Sequence, residues 1–214
     1  KYNEIKNYYW QRLNSKIKDN GIKNTKIEIL GALLRLRQIS CHMGLVDKTK
    51  LGEPSAKFDL LIDQIQTLIN EGHKALIFSS FTSLLKILSQ QLREKNIHFE
   101  YLDGQTKDRA ERVHNFQTNE QISLFLLSLK AGGVGLNLTS ADYVFIIDPW
   151  WNPAAESQAI DRCYRIGQTK SVFAYKLIAK NTVEEKILKL QERKKILAEN
   201  IISSDANILK ELSL

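Results

Sequence analysis

Between residues 55 and 178 the apolar positions switch repeatedly between two periods. Phe58, Leu61, Ile62, Ile65, Leu68 and Ile69 recur at helical intervals behind Ser55, which has the chemistry of an N-cap, and Gly72 closes the stretch. Residues 74–79 form a short apolar run suited to a buried strand, and Thr82 reads as the cap of a helix carrying Leu84, Leu85, Leu88 and Leu92. Further strands are predicted over 97–102, 122–128, 143–147 and 172–178, with a helix over 107–117 and another carrying Gln158, Arg162 and Arg165. Strands alternating with helices in this way predict an α/β fold, a parallel sheet covered by helices on both faces.

The flanks are helical. Leu30, Leu33, Leu34 and Leu36 recur at helical spacing, and Gly21 breaks the first forty residues into two helices. Residues 44–54 lack periodicity, contain Gly44, Gly52 and Pro54, and read as a linker. At the other end Thr182 with Glu185 forms a capping box ahead of Val183, Ile187, Leu190, Leu197 and Ile201, one face of a long amphipathic helix. Its Lys186, Lys189, Arg193, Lys194 and Lys195 are read as the solvated face of that helix. The pattern therefore divides the chain into a leading segment and linker, 1–54, a sheet-bearing lobe, 55–180, and a closing helix, 181–214.

With 214 residues, 43% of them hydrophobic and 26% charged, the chain can bury one large core. No apolar run approaches the ~20 residues of a membrane span, so a soluble, intracellular, non-membrane protein is expected. The first residue is Lys1 rather than Met, which suggests a piece of something longer. Cys41 and Cys163 are far apart, and neither has a second cysteine at metal-ligand spacing, so no disulfide framework and no metal site are expected; the adjacent Cys41 and His42 do not make a chelate. The net charge of +7 suggests an anionic partner, but +6 of it lies within residues 1–37. A nucleic-acid site in the lobe must therefore be built from placed groups: amides, hydroxyls and single cations.

Loops that follow the strands of an open parallel sheet face the functional crevice. Four of them are unusual here: Ser79-Ser80-Phe81-Thr82; Asp103-Gly104-Gln105-Thr106; the glycine-rich run from Lys130 to Leu138; and Asp148-Pro-Trp-Trp-Asn-Pro153. The last leads into Gln158, Arg162 and Arg165, which on a continuous helix fall at i, i+4 and i+7 and project a long amide and two guanidiniums from one face. Such a face suits phosphate, because arginine stays charged and presents a planar fork of donors.

In this order the motifs closely resemble those of the Swi/Snf family of ATP-dependent double-stranded DNA translocases. Ser128-Leu-Lys-Ala-Gly-Gly-Val-Gly-Leu-Asn-Leu138, Asp148-Pro-Trp-Trp-Asn-Pro153 and Gln158-Ala-Ile-Asp-Arg-Cys-Tyr-Arg-Ile-Gly-Gln168 resemble the family's motifs V, Va and VI. The stretches 72–82 and 101–106 resemble its motif IV region. Leu34-Arg-Leu-Arg-Gln-Ile39 with Cys41-His42 looks like the helical segment before its second lobe, and 182–187 like the start of its closing helix. Ser80 stands where many members carry Gln and Met43 where Pro is common. The spacing from Asp103 to Phe116 resembles the compact bacterial or archaeal members.

The resemblance implies a RecA-like lobe with helical extensions. There is no Gly-x-x-x-x-Gly-Lys-[Ser/Thr] run and no Asp-Glu pair at a strand end, so the phosphate cradle and the magnesium carboxylates would sit on a separate first lobe. ATP with magnesium is the implied cofactor, and double-stranded DNA, that first lobe and a DNA-bound protein complex are the implied partners. Arg162 and Arg165 would be arginine fingers, with Gln158 organising the nucleotide's contacts and Gly133, Gly135 and Asp161 near it. Ser79, Thr82, Gly104, Thr106, Ser128 and Lys130 would line the DNA backbone, and Trp151 would lie along the groove. The lobe alone would be inactive. The implied setting is the cytoplasm, nucleoid-associated in a bacterium or archaeon, or the nucleus in a eukaryote. Two other readings stay open: the second lobe of an RNA helicase of the same superfamily, and a non-catalytic binding module that keeps a motor fold.

Overall fold

The computed structural model describes residues 1–132, 136–162 and 168–211. Two helices lead, α1 (Tyr2–Asn24) and α2 (Lys26–Cys41). Gly21, at φ 74°, interrupts α1 with a conformation that a side chain would resist. A bend with two short 3-10 turns, Met43–Leu45 and Lys48–Lys50, then delivers α3 (Ala56–Asn70). In that bend Gly44 is buried, and a β-carbon there would come within 3.0 Å of the Leu51 backbone, so the bend closes only around glycine.

Five parallel strands follow: β1 (Ala75–Ser79), β2 (Phe99–Leu102), β3 (Leu124–Ser128), β4 (Tyr143–Ile146) and β5 (Phe173–Lys176). They lie side by side in the order β2-β3-β1-β4-β5. Their apolar residues alternate between two cores. Ala75 and Ile77, Leu124 and Leu126, and Phe145 and Ile147 enter one; Leu76 and Phe78, Phe125 and Leu127, and Val144 and Ile146 enter the other. This is why β1 and β3 read as unbroken apolar runs rather than alternating ones.

α3 and α4 (Thr82–Glu94) supply Phe58, Leu61, Leu84 and Leu88 to the first core. α5 (Arg109–Thr118), the one-turn α6 (Leu129–Gly132) and α7 (Pro153–Ile160) supply Phe116, Leu129 and Ala159 to the second. The first crossover runs outward from β1 to edge strand β2 and the later ones run back across the sheet, so a constant right-handed sense puts their helices on opposite faces. α8 (Val183–Glu211) closes the chain.

Three expected caps are used differently. The Ser55 hydroxyl donates to the Cys41 carbonyl at 2.7 Å, so it ties α3 to the end of α2 rather than capping its own helix. Thr82 is the first residue of α4, with Phe81 at the cap position, which leaves its side chain exposed. Thr182 does cap, accepting from the Glu184 amide at 3.2 Å, but the carboxylate that turns inward is Glu184 rather than Glu185.

Glu184 is fully buried and gathers the flanks onto the lobe. It accepts from Lys57 at 2.6 Å, from Ser40 at 3.0 Å and from the Ala179 amide at 2.8 Å, while Lys57 also donates to the Ile147 carbonyl at 2.7 Å. Burial beside these groups pushes the Cys41 thiol well above its ordinary pKa, which makes it a packing residue rather than a nucleophile. Removing one member of such a pair strands a charge. Lys57→Met should lower unfolding stability by about 3–5 kcal/mol, and Lys57→Met with Glu184→Gln by clearly less; denaturant titration of the set measures the difference.

Candidate functional site

The carboxyl ends of β1, β2 and β3 converge on an open groove of about 350 Å³. It is lined by Ser80 and Thr82 from the first loop, Asp103, Gly104 and Gln105 from the second, Ser128 and Lys130 from the third, and Lys86 from α4. Four expected backbone-contact positions thus meet on one surface although up to 48 residues separate them: Thr82, Gly104, Ser128 and Lys130, with Ser80 beside them. The Ser128 hydroxyl accepts from the Ala131 amide at 3.3 Å and so starts α6, whose turn carries the exposed Lys130. Lys86 went unnoticed in the sequence. Its place four residues after Thr82, one helical turn away on the same face, was the available signal.

Two expected contacts are turned elsewhere. Ser79 is fully buried, and its hydroxyl donates to Asp148 at 2.5 Å, so its side chain is part of the scaffold and is not offered to a strand. The Thr106 hydroxyl accepts from the Asp103 amide at 3.0 Å and closes the second loop beside the groove. Trp151 is also apart from the groove: it lies half-buried over the Arg37 guanidinium, 5.7 Å from the ring centroid, and its carbonyl accepts from Lys194 at 3.3 Å.

Behind the groove the loops after β1 and β4 are joined through one carboxylate. Asp148, fully buried, accepts from the Ser79 hydroxyl, from the Ser80 amide at 3.0 Å, from the Ser80 hydroxyl, and from Arg37 of α2 at 3.1 Å. Burial raises its pKa, against the pull of the two serines and the guanidinium. Glu156 does the same for the Trp150–Trp151 loop. Buried in α7, it accepts from the Trp150 amide at 2.6 Å and from Gln191 of α8 at 2.8 Å, and it pairs with Lys176 of β5.

α7 ends earlier than the amide-and-guanidinium stripe requires. Asn152 caps it by accepting from the Ala154 amide at 3.1 Å, Pro153 opens it, and its last residue is Ile160. Asp161 and Arg162 follow in a turn, because the Arg162 amide bonds the Ala159 carbonyl and its own carbonyl is taken by the Leu138 amide at 3.3 Å. Gln158 and Asp161 are exposed, whereas Arg162 is 5% exposed with its Nε donating to the Gln158 carbonyl at 3.0 Å. Arg162 thus lies beyond the last residue of the helix that carries Gln158, and it is buried where Gln158 is exposed. Arg165, Gly133 and Gly135 lie outside the described residues.

Among the described residues no three His, Cys, Asp or Glu side chains are placed to hold a metal ion. The one carboxylate in the groove, Asp103, is satisfied within its own loop. Burial pushes its pKa up, but the Gln105 amide, the Tyr101 and Thr106 hydroxyls and the charge of Lys86 outweigh that and hold it below the ordinary value. Tyr101 bears the cost: burial first, then the Asp103 charge and hydrogen bond, raise its phenol to about 12. A phenol raised in the folded state stabilises it fully below the ordinary ~10 and loses that contribution as pH climbs toward the folded value. In Asp103→Asn the Tyr101 pKa should fall part of the way back, burial being retained. Phenolate absorbance during an alkaline titration, compared with Tyr101→Phe, reads the change.

Comparison with known proteins agrees with this architecture. The helicase conserved C-terminal domain model matches residues 56–167. An uncharacterized ATP-dependent helicase of Mycoplasma genitalium is 35% identical over 212 residues, covering 95% of this chain and 20% of its own. The human lymphoid-specific helicase is 43% identical over 150 residues, 69% of this chain and 18% of that protein. The chromatin-remodeling ATPase INO80 of Gibberella zeae is 45% identical over 137 residues, 63% and 7%. The chain thus spans a fifth or less of each of these relatives. The crystal structure of the C-terminal part of the Fun30 ATPase domain superposes with a TM-score of 0.64 at 34% identity, over 84% of this chain and 63% of that one. The five-stranded parallel sheet, the groove at its carboxyl edge and these matches place the chain in the helicase conserved C-terminal domain family, as the RecA-like C-terminal lobe of its Swi/Snf branch.

Proposed function

We propose that this lobe is the second half of an ATP-driven motor that moves along double-stranded DNA, gripping the backbone with its groove and completing a nucleotide site held chiefly by a first lobe. The observation that carries this reading is the groove: the first turns of α4 and the loops after β2 and β3 bring exposed Thr82, Lys86 and Lys130 beside the exposed Gly104 backbone. Single cations, a hydroxyl and a bare backbone form a surface for phosphates and sugars rather than for base edges. The helicases and remodelling ATPase among the relatives support ATP as the fuel.

The described residues fit one wall of a polyphosphate site. Gln158 and Asp161 are exposed at the end of α7, and the buried Arg162 donates to the Gln158 carbonyl. Bound ATP with magnesium would supply the phosphoanhydride whose hydrolysis drives movement. This chain's part would be to orient its phosphates with Gln158, Arg162 and Arg165, with Gly133, Gly135 and Asp161 near the nucleotide and the magnesium ligands on the first lobe. In this reading residues 1–54 and 181–214 frame a lobe over 55–180, and the protein works where DNA is, at a nucleoid or in a nucleus, against a DNA-bound complex. Among the described residues no helix is long and apolar enough to cross a membrane.

In the full-length protein, duplex DNA should stimulate ATP hydrolysis, and Arg165→Ala should reduce the stimulated rate by about 10³ to 10⁵ with DNA binding largely kept. Stimulation by RNA in place of duplex DNA would favour the RNA-helicase reading and overturn this one. Lys130→Ala should weaken binding to duplexes of any sequence and lower the slope of log affinity against log salt by about one, measured by fluorescence anisotropy across a salt series.

A further inference from the structure

Arg37 is a cation on a leading helix, yet it is 3% exposed, while Leu30 and Leu34 of the same helix are 66% and 45% exposed. Its terminal nitrogen donates to the Asp148 carboxylate at 3.1 Å, the Ser80 hydroxyl at 3.1 Å and the Pro149 carbonyl at 3.0 Å. The guanidinium carbon lies 4.9 Å from the Phe81 ring centroid and 5.2 Å from that of Trp150. All of these contacts belong to two loops, the one after β1 and the one after β4.

The two loops serve different surfaces. Ser80 lines the groove with Thr82 two residues on, and the loop after β4 runs through Trp150 and the cap Asn152 into α7, which ends at Asp161 and Arg162. Arg37 itself lines neither surface. Ser80 is bonded to both Arg37 and Asp148, so a displacement of the groove loop has a polar, buried connection to the base of α7.

We propose that Arg37 is a positioning residue that locks the loops after β1 and β4 in register, so that DNA in the groove changes the nucleotide end of α7 only while this clamp is intact. The inference rests on the motor reading above. It makes the leading helix part of the coupling device, distinct from both binding surfaces. Arginine suits this device, because its guanidinium donates to acceptors on both loops while aromatic rings from both lie against it. Lysine's compact, strongly hydrated charge does not reproduce that planar group.

The test uses the full-length protein and three forms of it: unaltered, Arg37→Lys, and Arg37→Met combined with Asp148→Asn, which removes both buried charges so that neither is stranded. Basal ATP hydrolysis, DNA affinity and the stimulated-to-basal ratio are measured for each, with thermal midpoints as the check on folding. The expected result is a basal rate and DNA affinity within about twofold of the unaltered protein in both variants, with the stimulation ratio reduced about 5- to 150-fold, the range of typical coupling energies.

A stimulation ratio kept in both variants overturns the proposal. So does a ratio that falls only in step with lost DNA affinity or lost folding, since that is a structural role and no more. If the unaltered protein itself shows no DNA-stimulated hydrolysis, the motor reading fails and the clamp's role in coupling fails with it, an outcome the control separates from the other two.

Discussion

The structure turns on a carboxylate that has no water. Asp148 stands at the end of the central sheet with no exposed surface, and a buried charge there is tolerable only if every partner is in place. Those partners come from the neighbouring loop, through Ser79 and Ser80, and from a helix 111 residues earlier in the chain, through Arg37. Glu184, one node away, imposes the same condition on Ser40, Lys57 and the start of α8. Desolvation of two acids thereby decides where the leading and closing helices meet the lobe. Apolar burial alone would fix them loosely, since α1 buries no residue and α2 only Ala32, Ile39 and Cys41 besides Arg37.

This arrangement explains how a lobe with little net charge offers an anion-binding surface. Within the lobe and closing helix acids nearly balance bases, but several acids are internal: Asp148, Glu156 and Glu184 face buried donors, and Asp103 is satisfied by its own turn. Lys86 and Lys130 remain exposed at the groove. Placement of the acids, more than their number, sets the sign of the surface that DNA would meet.

The position of Arg162 carries a related lesson. A spacing of four from Gln158 looks like one helical face, but helical spacing holds only while the helix does; α7 has its last residue at Ile160, and beyond it the Arg162 carbonyl is taken by the Leu138 amide. The sequence carries no local mark for that bond, because its donor lies 24 residues away on another loop. The same limit hid the roles of Ser79, Ser55 and Glu184. Each carries a polar group whose partner is set by neighbouring strands and helices rather than by neighbours in the chain.

The sequence by itself determined the order and kind of the main strands and helices, though not the one-turn α6 or the two 3-10 turns, because apolar periods of two and 3.6 are local consequences of backbone geometry. It also determined the family, because the motif residues occur in fixed order along the chain. It marked Thr82, Gly104, Ser128 and Lys130 as a group through the rule that strand-end loops face one crevice. Only the tertiary structure decided that these four reach the groove while Ser79 and Thr106 turn into the scaffold, and that a leading-helix arginine is enclosed beneath two strand-end loops. The reason is physical: hydrogen-bond partners and desolvation are properties of assembled neighbours, and β1 acquires β3 and β4 as neighbours only when the sheet forms.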